Sequence, residues 1–157
     1  MNILFKAALT IIVLLTSGCQ STHFLPNDAE QVNLIQEYQY PHTPSEEKAL
    51  VYVVRPNILF GLVRFNVYLD SKDEASEMGY NNSNEYVYFE VEPGKHTIYS
   101  HSSTWYEKDI DVKAGETIVL EQQQGAFATH QLISLSESAS KFRIMKASLG
   151  TIMKRTE

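Results

Sequence analysis

The sequence predicts a mainly β fold, an antiparallel sandwich with an amphipathic helix at its C-terminus. From Ala49 onward the chain is rich in Val, Ile, Tyr, Phe and Thr, and turn residues recur about every eight to twelve positions, as in sandwich domains. Strand and helix patterns do not alternate, which argues against a parallel α/β fold. At the end of the chain, apolar residues recur at helical spacing, namely Ala139, Phe142, Met145, Leu149 and Ile152.

The predicted strands differ in how many of their faces are apolar. Residues 50–54 are continuously apolar, which is typical of a central strand buried on both faces. Residues 63–70 and 86–91 alternate instead, so each should bury one face. The expected inward positions are Phe65, Val67, Leu69, Val87, Phe89 and Val91.

Turn residues predict how the later strands connect. Residues 92–95 read Glu-Pro-Gly-Lys and indicate the tip of a hairpin, with Gly94 at a positive φ. Residues 113–116 indicate a second hairpin. Gly125 then interrupts the chain before a last predicted strand at 129–135.

The first residues resemble an export signal. Cys19 is the chain's one cysteine, so it cannot form a disulfide within the chain. Lys6 is followed by an apolar run at 7–15 that is too short to cross a bilayer, and small residues precede the thiol. This pattern predicts a bacterial lipoprotein signal peptide over residues 1–18, with Cys19 lipidated by acyl chains such as palmitate. An uncleaved anchor or an ordinary signal peptide with a free thiol are the alternatives.

The net charge and the residue after Cys19 indicate which partners and which membrane to expect. The net charge is −6 and becomes −7 when Lys6 leaves with the signal peptide, and no basic patch suggests nucleic acid or anionic lipid headgroups. Because Gln20 and not aspartate follows Cys19, the resemblance to sorting signals favours the outer membrane of a Gram-negative cell, facing the periplasm. Attachment to the membrane would depend on the N-terminal lipid alone.

Between the lipid and the sandwich lies a polar segment. Residues 19–48 are interpreted as a tether, and residues 49–157 as a single sandwich domain with its C-terminal helix. A capping-box pattern from Asn27 to Glu30 predicts a short helix in this tether. Two histidines, His23 and His42, lie in it and are expected to be too mobile to organise a site.

Four segments together resemble a known family. They are residues 49–56 (Ala-Leu-Val-Tyr-Val-Val-Arg-Pro), 67–70 (Val-Tyr-Leu-Asp), 86–96 with its Pro-Gly-Lys-His end, and 113–117 (Lys-Ala-Gly-Glu-Thr). They are similar to the bacterial lipoprotein family called domain of unknown function 2846, over about residues 49–124. The resemblance implies an Ig-like or transthyretin-like sandwich in the cell envelope and carries no catalytic residues.

One connection departs from that family. Its usual turn after the second strand contains a glycine, whereas Asp70, Ser71 and Lys72 stand here and a polar insertion follows at 73–85. The departure concerns the shape of this connection and not the fold.

Outward tyrosines are the first candidate binding residues. The set is Tyr52, Tyr68, Tyr86 and Tyr88, with Tyr99, Trp105 and Tyr106 nearby in sequence. Rings with a polar edge can stack on sugars or fill a groove of a partner protein. Either the C-terminal helix covers these rings, or they form an open platform.

Arg55 and the segment after it are the second candidates. Arg55 ends the first strand before Pro56 and could pair with Asp70 or bind an anionic ligand. The apolar residues 57–62 could touch a partner or membrane, or could plug the open end of the core.

Catalytic, metal and cofactor sites are not expected. His96 and His101 are five positions apart on one predicted strand, so they point to opposite faces and cannot share a metal. His96 shares the face of Ile98, which indicates a structural histidine. Glu90 and Glu92 point outward without a facing acid, and no nucleophile elbow or phosphate loop occurs.

Three hypotheses follow for function. The preferred one is a non-catalytic, lipid-anchored envelope protein whose sandwich binds a protein partner or cell-wall glycan. The alternatives are an envelope hydrolase acting on glycan or peptide, and a purely structural surface module. A cleft that holds titratable groups in contact would favour the hydrolase.

Overall fold

The computed structural model describes residues 29–56, 63–124 and 130–153. The predicted signal peptide, Cys19, His23 and the apolar segment 57–62 lie outside the described residues, as do Asn27 and Gly125. Among the described residues, no helix has the length and apolarity needed to cross a membrane.

Two short helices and ten strands make up the described parts of the chain. In chain order they are α1 (Ala29–Glu37), β1 (Ala49–Arg55), β2 (Phe65–Leu69), β3 (Glu77–Asn81), β4 (Glu85–Val91), β5 (Gly94–His101), β6 (Trp105–Val112), β7 (Thr117–Gln124), β8 (His130–Ser134), α2 (Glu137–Lys146), β9 (Ser148–Leu149) and β10 (Thr151–Ile152).

The strands form the predicted β-sandwich from two five-stranded sheets. The first sheet has the order β8-β7-β1-β4-β9 and the second β10-β3-β2-β5-β6. The first sheet is mixed, since β1 runs antiparallel to β4 but parallel to β7. Apolar side chains of both sheets fill the space between them, including Val51, Val53, Val67, Val87, Phe89, Ile98 and Leu120.

Strand β1 lies at the centre of the first sheet and is buried along its whole length. Val51 and Val53 face the other sheet, whereas Leu50, Tyr52 and Val54 face outward into a second apolar cluster. A continuous apolar run is therefore needed because both faces of this strand are covered. The inward positions predicted in β2 and β4 are also confirmed.

The two predicted hairpins are wrong, because each of these turns passes from one sheet to the other. Strand β4 pairs with β1 and β9, whereas β5 pairs with β2 and β6. The turn at 113–116 likewise joins β6 of the second sheet to β7 of the first. Gly94 does have the predicted positive φ, at 131°. A local turn sequence specifies a reversal of the chain but not which strands then pair.

The insertion at 73–85 contains a strand that the sequence did not predict. After a short 3₁₀ turn at Glu74–Ser76, β3 pairs antiparallel with β2, with a shift of register between Val67 and Tyr68. At Gly79, φ is 154° and a Cβ would clash with the carbonyl oxygen of Thr151. The segment reads as polar because β3 lies near the edge of the sheet and carries only Met78 as a large buried apolar side chain.

The C-terminal helix is present but shorter than predicted. Helix α2 ends at Lys146, and the backbone then becomes extended at Ala147. Strands β9 and β10 follow and pair with β4 of the first sheet and β3 of the second, so the chain end bridges the two sheets. The helix buries Ala139, Ser140 and Ile144, whereas Leu149, predicted to lie on its apolar face, is 49% exposed.

The N-terminal segment packs on the sandwich between residues 29 and 48, and α1 is the short helix that the sequence predicts within it. Helix α1 lies against α2, and the Lys141 Nζ donates to the carbonyl of Gln36. Ile35 is buried, and Tyr38 and Tyr40 pack on the outward apolar cluster of the first sheet. Apolar residues that look isolated in a polar segment are therefore part of the cover of that sheet.

Candidate functional site

Three of the four candidate tyrosines lie on the outer face of the first sheet, here called the covered face (Tyr52, Tyr86 and Tyr88). Tyr52 is fully buried and Tyr86 is nearly so. Tyr40 stacks on Tyr52 with ring centroids 5.5 Å apart. The N-terminal segment and α2 together cover this face, so Tyr52 and Tyr86 offer no surface to a ligand.

His42 holds the N-terminal segment on the covered face. Its ring stacks on Tyr88 at 3.8 Å between centroids, and the Tyr52 hydroxyl donates to the His42 carbonyl over 3.2 Å. Burial raises the pKa of Tyr52 and lowers the pKa of His42. The expectation that His42 is mobile is wrong, because tertiary contacts fix a residue that its local sequence leaves free.

A buried ion pair fastens α2 to the same sheet. The Arg143 Nε lies 2.6 Å from the Glu121 Oε2, and only 2% of the Glu121 side chain is exposed. Burying a lone carboxylate would be costly, so Arg143 is needed to balance Glu121.

Arg55 does not pair with Asp70. Its side chain is 2% exposed, and its guanidinium carbon lies 4.3 Å from the centre of the Phe65 ring of the second sheet. The Arg55 Nη1 donates to the carbonyl of Val63, and burial lowers the pKa of Arg55. Arg55 therefore points between the sheets, away from the outward tyrosines with which the sequence grouped it.

The fourth tyrosine, Tyr68, belongs to a different surface, here called the aromatic face (Tyr68, Tyr99, His101 and Trp105). It is the outer face of the second sheet. Tyr68 stands opposite Tyr99 across β2 and β5, and His101 stands opposite Trp105 across β5 and β6. The Trp105 ring lies 5.0 Å from Tyr68, 6.4 Å from Tyr99 and 4.2 Å from His101, between centroids.

The aromatic face remains accessible in part. Tyr99, His101 and Trp105 are half-buried by one another and by their neighbours, and Tyr68 is 9% exposed. Both helices of the described residues lie at the first sheet, since α1 contacts α2 and α2 contacts β7. Flat rings held at the surface by cross-strand neighbours can stack on the apolar face of a sugar.

Polar and charged groups border the aromatic face. Lys72 lies over two of its rings, with its Nζ 4.8 Å from the centre of Tyr99 and 5.6 Å from that of Trp105. The same Nζ lies 3.4 Å from Glu107 Oε2. Asn66 donates to Glu77 over 2.6 Å on the neighbouring strands. The border thus offers both donors and acceptors to a polyhydroxylated ligand.

A histidine–carboxylate pair lies beyond one end of the aromatic face. The His96 Nδ1 is 2.7 Å from the Asp70 Oδ2, and its Nε2 is 2.8 Å from the carbonyl oxygen of Glu92. Burial alone would lower the pKa of His96, but these two hydrogen bonds and the negative charges of Asp70 and Glu92 together outweigh it, and the pKa is raised. Asp70 has a positive φ of 59° and also accepts from the amide of Thr97.

His96 opens on a surface hollow of about 490 Å³, lined by Asp70, Lys95, His96, Thr97, Asp109, Ile110 and Asp111. The pair of titratable groups in contact is the feature that would favour a hydrolase. Both ring nitrogens of His96 are engaged, and the Thr97 hydroxyl donates to Asp109 over 2.7 Å. An imidazole that is bonded on both sides does not have a nitrogen available to activate a nucleophile. This arrangement favours the structural role predicted for His96.

The other two acidic residues considered for catalysis, Glu90 and Glu92, interact with residues of the N-terminal segment. Glu90 accepts from the amide of Ser45 over 2.6 Å, a bond that lowers the pKa of Glu90, and Glu92 lies 3.6 Å from the Nζ of Lys48. Within residues 29–56, 63–124 and 130–153, no group of three or more His, Cys, Asp or Glu residues could hold a metal ion.

A larger hollow of about 640 Å³ lies elsewhere, between the edges of the two sheets. It is lined mainly by residues of β6 and β7, together with Tyr40, Ser134, Leu135, Glu137 and Ser140. The rings of the aromatic face do not line it.

No protein-family model matches this sequence. No curated protein matches it significantly either. A solved structure with a similar chain path is the NMR structure of a protein from Eubacterium rectale, at 8% sequence identity and a TM-score of 0.42, covering 57% of this chain and 89% of that chain. A likeness at this level supports no statement about function.

The sequence missed that Tyr99, His101 and Trp105 share a surface with Tyr68. Alternation within β5 is a usable signal, because Tyr99 and His101 alternate along the strand with the buried residues Ile98 and Ser100 and therefore point to the opposite face. Alternation does not state which sheet a strand joins, so the rings of two sheets were assigned to one face.

Proposed function

We propose that this chain is a lipid-anchored protein of the bacterial envelope whose sandwich binds cell-wall glycan without catalysis. The observation that carries the binding part is the aromatic face, where three half-buried rings are held at the surface by cross-strand contacts. Tyrosine and tryptophan rings with carboxylates and amides at their border suit sugars, which present C–H faces and hydroxyl groups.

The anchoring part of the proposal rests on the sequence around Cys19. Lipidation there would hold the protein on the outer membrane, facing the periplasm, where it would meet the cell wall. The resemblance to the lipoprotein family called domain of unknown function 2846 supports the same location. Membership of that family is part of the proposal.

Capture of purified cell-wall sacculi by the full chain in detergent tests the binding part. Replacing Tyr99 and Trp105 together by Ser should weaken capture by about thirtyfold, because each ring contributes on the order of 1 kcal/mol of stacking. The matched control is Tyr88→Ser on the covered face, which should leave capture unchanged. Equal capture by all three proteins would contradict the proposal. Crosslinking that recovers a protein and no glycan would show that the ligand of this face is a protein.

Membrane fractionation tests the anchor. Cys19→Ser should release the protein from the membrane, since a hydroxyl cannot form the thioether to which the lipid is attached. Equal retention of wild type and variant would refute lipid anchoring and leave the binding result unaffected.

A further inference from the structure

The position of the Lys72 ammonium shows what kind of group the aromatic face can hold. Its Nζ lies over Tyr99 and Trp105, at 4.8 and 5.6 Å from the ring centres, and 3.4 Å from a carboxylate oxygen of Glu107. Two ring faces and one carboxylate around a single nitrogen form a site for an organic cation.

The rings, and the backbone that carries Glu107, are held more firmly than the lysine. Tyr99 and Glu107 are direct cross-strand partners, and Trp105 stands opposite His101, whose ring stacks on it. Lys72 lies in the connection after β2, and 47% of its side chain is exposed. A flexible four-carbon chain can leave at little cost, whereas the sheet keeps the cation site in shape.

We propose that Tyr99, Trp105 and Glu107 form a binding site for a primary ammonium group of the ligand, which Lys72 occupies until the ligand displaces it. This inference rests on the proposed function and specifies its ligand as wall material with free primary amines. Glu107 favours a primary amine because N–H groups can donate to the carboxylate, which a quaternary ammonium cannot do.

Lys72 then acts as a competitor within the molecule. A group tethered by a short flexible chain competes at an effective concentration on the order of millimolar. A ligand amine binds only if its concentration and affinity are high enough to displace the Lys72 ammonium. Removing the Lys72 ammonium should therefore raise the affinity for free amines rather than lower it, an effect opposite to that of losing a ligand contact.

Trp105 is the only tryptophan in the chain, so its fluorescence reports on this site directly. The full chain in detergent is titrated with n-butylammonium chloride at constant ionic strength. In Lys72→Gln, the fluorescence change should saturate at about fivefold lower concentration than in the wild type, the size expected when one exposed cation–π contact is freed. Sodium butyrate should have no effect.

Two further variants separate this site from general charge effects. Lys95→Gln removes one lysine charge from β5 of the second sheet, outside the cation site, and should bind butylammonium as the wild type does. Adding Glu107→Gln to Lys72→Gln should weaken butylammonium binding more than tetramethylammonium binding, because both cations lose the attraction of the carboxylate but only the primary amine also loses a charged hydrogen-bond acceptor. Thermal melts of each variant establish that it is folded. Equal titrations for Lys72→Gln and Lys95→Gln, or an equal response to butyrate, would overturn the inference.

Capture of sacculi whose free amines have been acetylated links the site to the proposed function. We expect acetylation to reduce capture by about fivefold. If butylammonium binds but no sacculi are captured, the cation site stands and the glycan proposal fails. If capture is unaffected by acetylation or by butylammonium, the glycan proposal stands and the ammonium site is refuted.

Discussion

The two outer faces of this sandwich carry similar aromatic residues, but one face is covered by other parts of the chain and the other is partly exposed. Tyr52, Tyr86 and Tyr88 point outward from the first sheet, as Tyr68 and Tyr99 do from the second. The first set lies beneath the N-terminal segment and α2, whereas Tyr99 on the second sheet stays half-buried at the surface. The comparison shows that an outward aromatic residue becomes part of the packed interior when another part of the chain folds over it, and otherwise stays at the surface.

The polar contacts around the rings also differ between the two faces. On the covered face, Tyr52 bonds to the backbone of His42, and the buried Arg143–Glu121 pair holds the helix down. On the aromatic face, the Lys72–Glu107 pair is exposed on both sides, at 47% and 62%. Exposed pairs contribute little to stability, so the aromatic face can exchange its partners and the covered face cannot.

The largest expected contrast is between two tyrosine truncations. Tyr52→Ala should lower the free energy of unfolding by about 3–5 kcal/mol, because it removes a fully buried ring and leaves a cavity. Tyr99→Ala should cost about 1 kcal/mol, since the ring is half-buried and contacts only surface neighbours such as Trp105 and Lys72. Urea unfolding of both variants measures the difference. Equal losses would show that the aromatic face is as much a part of the core as the covered face.

A smaller contrast is expected between two arginines. Arg143→Met should lower the free energy of unfolding by about 2–3 kcal/mol, because it leaves the buried carboxylate of Glu121 without its ion-pair partner. Arg64 lies over the Tyr80 ring on the outer face of the second sheet, 4.7 Å from its centre, and is exposed. Arg64→Met should cost at most about 1 kcal/mol.

A double variant serves as the control for the arginine comparison. Adding Glu121→Gln to Arg143→Met should recover part of the lost stability, because the stranded charge is then removed. Urea unfolding that shows no recovery would mean that Arg143 acts through packing and not through its charge.

The smallest expected effects are opposite pH dependences of two histidines. The pKa of His42 is lowered by burial, so the unfolded chain binds the proton more readily and the stabilising contribution falls as the pH decreases through about 6.5. The pKa of His96 is raised, so its contribution is complete below about 6.5 and is lost as the pH rises through the higher folded value.

Unfolding free energies measured across pH for His42→Gln and His96→Gln test these signs. Relative to the wild type, His42→Gln should lose least stability at acidic pH, and His96→Gln should lose least at alkaline pH. A common slope for both variants would contradict the environments assigned to the two rings.

Alternation and continuity of apolar residues were sufficient to predict the sandwich. Each strand must bury one face, or both faces in the case of β1, and this requirement is visible in the order of residues. Strand β3 and the early end of α2 were not predictable in this way, because few of their side chains enter the core. The position of β3 depends on its pairing with β2, and α2 ends where the following strand β9 pairs with β4.

The sequence by itself determined that this chain has a β-sandwich core and an outward set of tyrosines, and it predicts an export signal that ends at the one cysteine. The tertiary structure decided which tyrosines share a sheet, which of them the N-terminal segment and α2 cover, that His42 is fixed on the covered face, and that Arg55 is buried between the sheets. The physical reason is that side-chain direction follows from local periodicity, whereas sheet membership and cover depend on contacts between distant segments, which no local pattern contains.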